Sequence, residues 1–428
     1  MKRLIYALAL IFVFFLFGSM LLPCADADWV MLRANPSQSG IISHYDSELM
    51  PKQNWTVSIP EGFWSSPVVD NGLLYVGTGA GNICALRASD GEQIWNFTIS
   101  IYTVNACPVV AQGILYVCSD EGLFALDALT GTKIWSYPAG EGTTPAVVNG
   151  IVYFGTANGV VYALDALDGS EIWTYTTDNL FCITPVVYNG RVYIGGGRTW
   201  RGIYALNALT GEQIWNHTPH WQNVFAMSAT AIADGMLFYS TPYELYALSL
   251  ATGAEVWHIG IDEMASPVVV DGKVFMGSND PSYSVCYALD AKSGRQLWNY
   301  SSPERIASSD PAVKNGIVYF GASDKNIYAL KATTGTKIWN YSIDSPGDTT
   351  FSAPAVGNGE LFICSVAYTY EPFAFVSQMC AIVTDPPANV FGGDYFLLEL
   401  LLVVVILIIT IPVAVLLFKR YHHRQLHP

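Results

Sequence analysis

Residues 327 to 342 read IYALKATTGTKIWNYS, an apolar run, a polar turn that contains Gly335, and a second run in which Ile338, Trp339 and Tyr341 stand among polar neighbours. Short runs of this kind with period-two alternation predict strands, and the Gly between them predicts a tight hairpin. Near-copies of the pattern end at Trp95, Trp135, Trp173, Trp215, Trp257, Trp298 and Trp339, and Trp55 stands one period upstream without a hairpin before it. A second hairpin precedes each copy, as in SDPAVKNGIVYFGAS, with its turn at Asn315-Gly316. Equivalent turns fall at Asn71-Gly72, Asn149-Gly150, Asn189-Gly190, Asp234-Gly235, Asp271-Gly272 and Asn358-Gly359. Asn-Gly and Asp-Gly favour two-residue hairpin turns because both positions need positive φ.

Each unit is therefore four short antiparallel strands, repeated at intervals of 38 to 42 residues between tryptophans. A unit of this size cannot bury its own apolar face, and four strands per period is the blade of a β-propeller. The pattern predicts an all-β, eight-bladed β-propeller of four-stranded antiparallel blades. Its blades start near Pro67, Pro108, Pro145, Pro185, Ala229, Pro267, Pro311 and Pro354. The last start runs to about Val383 without reaching a tryptophan strand, so the Trp55 strand is expected to complete the eighth blade. That clasp would remove the open edges of the ring. The eight repeat tryptophans are expected to dock flat between neighbouring blades, where an aromatic side chain buries roughly 150–250 Å².

The repeated YALDAxTGxxIW resembles the tryptophan-docking motif of pyrroloquinoline-quinone (PQQ) repeat propellers, and Asp28 to Gly40 (DWVMLRANPSQSG) resembles the entry segment of many secreted members. The resemblance covers residues 28–383. It implies the propeller fold and leaves activity open, since the family holds both quinoprotein alcohol dehydrogenases and a non-enzymatic propeller of the barrel-assembly machine. The dehydrogenases use an adjacent Cys-Cys disulfide, a calcium ion and an Asp base. This chain has no Cys-Cys pair, and none of its Asp or Glu residues matches that site by context. The resemblance thus points to a non-enzymatic member with no catalytic, cofactor or metal residues. PQQ with calcium in a degenerate oxidoreductase site is the alternative.

The chain ends suggest a compartment. Lys2 and Arg3 precede an apolar stretch and Ala25-Asp26-Ala27, which reads as a signal peptide over residues 1–27. Cys24 would suit a lipoprotein, but Pro23 is a poor neighbour for lipidation. Residues 384–394 form a Pro/Gly-rich linker, and 395–418 form an apolar stretch long enough for a transmembrane helix. Lys419, Arg420 and Arg424 follow, so the tail, 419–428, is expected in the cytoplasm and the propeller outside, as a single-pass protein of the cell membrane. His422, His423 and His427 belong to that basic tail rather than to a metal site.

Charge narrows the partners. The chain carries −15, and the predicted ectodomain, with 15 basic and 33 acidic residues, carries about −18, which repels nucleic acid. Asn-x-Ser/Thr sequons at Asn54, Asn96, Asn216, Asn299 and Asn340 each abut a repeat Trp and are candidate glycosylation sites, with coincidence in an Asn- and Thr-rich repeat as the competing reading. Cys84, Cys107, Cys118, Cys182, Cys286, Cys364 and Cys380 show no metal-ligand spacing. Cys107 and Cys118 flank one hairpin and are the pair placed to bridge.

Two connections exceed the repeat minimum, Gly195 to Gly202 and His217 to Ser228. They bring Arg198, Trp200, Arg201, His220, Trp221 and Phe225 toward one sector of a loop face, with Trp64 on another loop of the same kind. Arg and Trp are enriched at binding hot spots. The expected role is a scaffold that binds a cell-surface protein or glycan. Sugar recognition alone is expected if Trp64, Trp200 and Trp221 form a stacking platform; otherwise these aromatics simply cover the channel mouth.

Overall fold

The computed structural model describes residues 51–59, 61–177, 183–196, 202–219, 229–241, 243–260, 265–278, 284–302, 309–344, 348–357, 359–370 and 373–384. They build eight antiparallel sheets; in seven of them the strands A to D run in chain order from the inside outward, and the eighth takes its outermost strand from elsewhere in the chain. Blade 1 comprises Val68–Asp70 (A), Leu73–Gly77 (B), Asn82–Arg87 (C) and Gln93–Thr98 (D). The inner strands of successive blades approach one another, and that of the last blade, Ala355–Gly357, meets Val68–Asp70 of the first. The ring is closed.

The eighth blade takes its D strand from the other end of the chain. Lys52–Ile59 pairs antiparallel with Phe373–Val383, with Lys52 opposite Val383, Trp55 opposite Ala381 and Ile59 opposite Ser377. The chain therefore enters and leaves the ring on the face that holds the A–B and C–D turns, here called the lower face. The B–C and D–A connections lie on the upper face.

Local chemistry explains each turn. The A–B turns hold Asn71, Asn149, Asn189, Asp234, Asp271 and Asn315 at φ between 47° and 54°. Blade 2 makes the same turn with Gln112 at φ 52°, which composition alone does not suggest. In the C–D turns a Gly is needed twice over. Gly131 has φ 70°, and a Cβ there would lie 2.6 Å from the Trp95 ring of the preceding blade. The same holds for Gly91 over Trp55 and for Gly169, Gly211, Gly253, Gly294 and Gly335 over the tryptophans of their preceding blades.

The tryptophans latch as well as pack. Trp95 Nε1 donates to Ala128 O at 3.0 Å, and Tyr75 Oη donates to the same carbonyl at 3.1 Å. Ala166 O accepts from Trp135 and Tyr116, Ala208 O from Trp173 and Tyr153, and Leu250 O from Trp215 and Tyr193. Where Phe275 replaces the Tyr, Trp298 alone reaches Ala332 O. The seam between the chain ends uses the same device, with Trp55 Nε1 donating to Ala88 O at 2.7 Å.

Two features depart from expectation. The B and C strands of blade 8, Glu360–Tyr370 and Phe373–Val383, have 11 residues each, and an extra strand, Asp348–Phe351, pairs with Ser365 to Tyr368. This tower rises on the upper face, with the two strands paired as far as Tyr370 opposite Phe373. Cys107 and Cys118, the pair placed to bridge, are both free thiols, buried in the core with Cys84, Cys286, Cys364 and Cys380. Burial pushes the Cys84 thiol up to about 11 and raises Cys118 further, so these groups pack as small apolar side chains.

Among the described residues no helix is long and apolar enough to cross a membrane. Residues 1–27, 395–418 and 419–428, read above as signal peptide, span and tail, lie outside the described residues, as does Cys182.

Candidate binding face

A belt of hydrogen bonds fixes the inner end of the upper connections. In four of the connections the residue two positions before the inner strand offers its N–H to the side chain of its counterpart in the next blade. Cys107 N donates to Thr144 Oγ1 at 2.9 Å, Ala229 N to Ser266 Oγ at 3.2 Å and Ser266 N to Asp310 Oδ1 at 2.6 Å. Ala353 N donates to Ser66 Oγ at 3.2 Å and carries the belt across the seam. Loops that leave this belt start from a rigid base.

The described part of the upper face exposes Tyr243 on blade 5 and groups its other exposed aromatics at blade 1. Trp64 lies on the connection from the N-terminal strand into blade 1 and is 41% exposed. Its segment is pinned on both sides: Phe63 N donates to Ser377 Oγ at 2.9 Å, and Trp64 N to Gly77 O at 2.9 Å. The indole Nε1 reaches Glu61 O at 3.2 Å. Gly79 lies beneath, and a Cβ there would stand 2.2 Å from Glu61 O and 2.7 Å from Trp64 Nε1. The ring therefore lies against a glycine backbone, with its remaining surface open to solvent.

Two residues farther along the same turn, Gly81 (φ 79°) supports the loop from blade 1 to blade 2. A Cβ on Gly81 would meet Ser100 O at 2.1 Å and Tyr102 O at 2.8 Å. At the tip of that loop Ile101 and Tyr102 are 80% and 64% exposed. Its ends are held by Val104 N, which donates to Thr78 O at 3.0 Å, and by Ser100 Oγ, which donates to Asp120 Oδ1. Trp64, exposed Ala80, and the Ile101-Tyr102 tip thus flank one short turn. Glu61, Glu121 and Glu141 are exposed on the upper connections of this sector. The arrangement offers a rigid apolar and aromatic surface, rimmed by carboxylates, suited to a partner that is apolar at its centre and basic at its edge.

Of the residues expected to form the binding face, Trp64 is described and exposed. Arg198, Trp200, Arg201, His220, Trp221 and Phe225 lie outside the described residues; of the strands that flank them, Arg191–Gly196 and Gln213–His217 end, and Gly202–Asn207 begins, on the same upper face. Sequence reasoning missed Ile101 and Tyr102 because it searched for long insertions, and their loop is near the repeat length. The signal was the glycine pair in GTGAGN, where two loops approach one turn closely. Among the described residues no group of three or more His, Cys, Asp and Glu is placed to hold a metal ion.

Comparison with known proteins gives four findings. The family model described as outer membrane protein assembly factor BamB matches residues 38–148, 138–233 and 200–378. Outer membrane protein assembly factor BamB of Yersinia pestis is 24% identical over 359 residues, which is 77% of this chain and 90% of that protein. Serine/threonine-protein kinase AfsK of Streptomyces griseus is 39% identical over 75 residues, so the chain spans only 9% of its length. Among solved structures, a quinohemoprotein alcohol dehydrogenase from Pseudomonas putida superposes with a TM-score of 0.67 at 17% identity, over 84% of this chain and 80% of that one. At that identity the likeness is one of fold.

Proposed function

From a chain that belongs to the PQQ-like repeat propeller family, matched by the BamB model, we propose a protein-binding scaffold that is held at a membrane with its propeller outside the cytoplasm. The observation that carries this reading is that the family match runs from residue 38 to 378, across nearly the whole ring rather than a few repeats. The BamB relatives are named as outer membrane protein assembly factors, and this reading extends an assembly role to this chain, carried out by presenting rigid loops to a protein partner. The upper face at blade 1 is the proposed contact, through Trp64, Ile101 and Tyr102, with Arg198, Trp200, Arg201, His220, Trp221 and Phe225 as further candidates. The anchor is the proposed transmembrane helix at 395–418. The chain leaves the ring on the lower face at Thr384. A partner glycan remains the weaker form of the proposal, because the exposed aromatic pair is joined by an aliphatic side chain, Ile101, and by carboxylates that suit a basic peptide.

The experiment is site-specific photo-crosslinking of the full chain in its membrane, with the crosslinker at Tyr102 or, as a control, at Leu129, exposed on the lower face. The expected result is a discrete protein adduct from Tyr102, absent from the control and weakened by Trp64→Ala. Equal adducts from both faces, or none from either, would sink the reading.

A second reading, a PQQ-dependent oxidoreductase with a degenerate site, rests on the likeness to the quinohemoprotein alcohol dehydrogenase. The described residues fit it poorly. Calcium takes six to eight oxygen ligands, whereas the belt before the inner strands offers one carboxylate, Asp310, whose Oδ1 already accepts Ser266 N–H. Calorimetric titration of the full chain with PQQ and calcium tests it, and stoichiometric binding would restore this reading.

A further inference from the structure

Every Asn-x-Ser/Thr in the chain whose middle residue is not proline falls on an outermost strand: Asn54, Asn96, Asn216, Asn299 and Asn340. The asparagines of the A–B turns, such as Asn71, Asn149 and Asn189, lack a hydroxyl residue two positions on. All five sequon side chains are exposed. Four of them occupy one structural position. Asn96, Asn216, Asn299 and Asn340 each follow a docking Trp, and alternation turns them away from the face that buries it. Their hydroxyl residues, Thr98, Thr218, Ser301 and Ser342, project to the same side and are also exposed. The D strand is the last of its sheet, so nothing in the blade covers this side.

Asn54 differs. It precedes Trp55, at the irregularity in register between Gln53 and Trp55. Its Nδ2 donates to Glu360 Oε1 at 2.7 Å and to Ser89 O at 3.3 Å and so ties the N-terminal strand to both blades of the seam, whereas Asn340 Nδ2 donates once, to Asn326 Oδ1 at 2.9 Å within its own blade.

We propose that Asn96, Asn216, Asn299 and Asn340 are N-glycosylated and that Asn54 stays bare. The co-substrate is an oligosaccharide activated on a lipid phosphate or diphosphate, transferred by a membrane oligosaccharyltransferase. The Asn amide Nδ2 forms a bond to the anomeric carbon and loses one proton. The anomeric C–O bond to the phosphate breaks, and its electron pair leaves with the lipid phosphate, so no oxidant or reductant is needed. The glycans then stand on the outer rim of blades 1, 4, 6 and 7, clear of the upper and lower faces. Blades 2, 3 and 5, with Ser136, Thr174 and His258 at the equivalent position, keep a bare rim.

This inference rests on the placement of the propeller outside the cytoplasm, and the test separates the two. Glycopeptide mass spectrometry of the full chain, purified from the membrane of the organism that makes it, should find sugar on the four asparagines and an unmodified Asn54 peptide. A quadruple Asn→Gln variant should migrate faster by four glycan masses. Four bare asparagines would overturn the proposal, and sugar on Asn54 would overturn its assignment to the seam. A membrane-impermeant amine label on intact cells tells which premise failed. Bare asparagines with label on exposed Lys133 and Lys337 mean that the outer rim is not modified, and bare asparagines without label mean that the propeller is not outside.

Discussion

The Gly of each C–D turn has two constraints at once, a positive φ and the indole of the preceding blade pressed against its Cα. Gly131→Ala adds a methyl group 2.6 Å from the Trp95 ring. Backbone strain of about 1 kcal/mol and overpacking of about 1–3 kcal/mol predict a loss of roughly 2–4 kcal/mol in urea unfolding. In a Trp95→Ala background the overpacking disappears, so the same substitution should cost only the backbone strain; an unchanged cost in both backgrounds would show that the indole is not what excludes the methyl. The buried thiols give a second test at this scale. The six described cysteines should fail to react with a thiol-specific disulfide reagent at neutral pH and react fully in denaturant. Rapid labelling of the native protein would contradict their burial.

Ionisation of the latch residues sets a pH limit. Burial holds the phenols of Tyr116 and Tyr153 up to about 12, and the Cys84 thiol up to about 11, each above its ordinary value of 10.0 or 9.0. In the window between the unfolded and folded values the native state keeps its proton and the unfolded state has lost it. Stability is therefore full below about pH 9 and falls as pH rises from about 9 to 12. Tyr116→Phe, which removes the hydroxyl bonded to Ala166 O, should cost about 1 kcal/mol at neutral pH and flatten the alkaline decline. Urea midpoints measured between pH 7 and pH 11 check both statements.

At the scale of elements, the decisive one is the strand Lys52–Ile59. It supplies the D strand that blade 8 lacks, the Trp55 latch to Ala88 and the Asn54 bridge to Glu360. Without it the strand Phe373–Val383 becomes an unpaired edge, the kind that recruits other chains. A chain shortened to begin after Ile59 should lose its cooperative transition and scatter light at concentrations where the intact chain does not. A peptide of residues 51–59 added in excess should restore the transition. An unchanged urea midpoint for the shortened chain would show that the clasp contributes nothing to the ring.

The described propeller presents two faces of different make. The lower face carries the hairpin turns and both ends of the described chain, and the upper face carries the blade 8 tower and the aromatic site on blade 1. Trp64→Ala with Tyr102→Ala should cost only about 1 kcal/mol of stability, for the bond from Trp64 Nε1 to Glu61 O, since Tyr102 projects outward. The pair should weaken partner capture by at least 2 kcal/mol, roughly 30-fold, if it forms a binding hot spot. Measuring both quantities on one preparation separates loss of the site from loss of the fold.

The repeat of short alternating runs, the Asn-Gly turns and the unpaired Trp55 determined the all-β class, the number of blades and the way the ring closes. Each of these is a property of a strand and its neighbours in sequence, where period two and positive φ leave few choices. Even Gln112, which departs from the turn chemistry, was carried by its place in the repeat. The tertiary structure alone decided which side chains face solvent on the upper surface. Ile101 and Tyr102 lie in a loop of near-ordinary length. What exposes them is the packing of two connections, separated by a whole blade, against Gly79 and Gly81. The same holds for Asn54, which shares a motif with four other asparagines, yet spends its amide on a residue some 300 positions away. Alternation is local, but exposure depends on what the closed ring brings alongside.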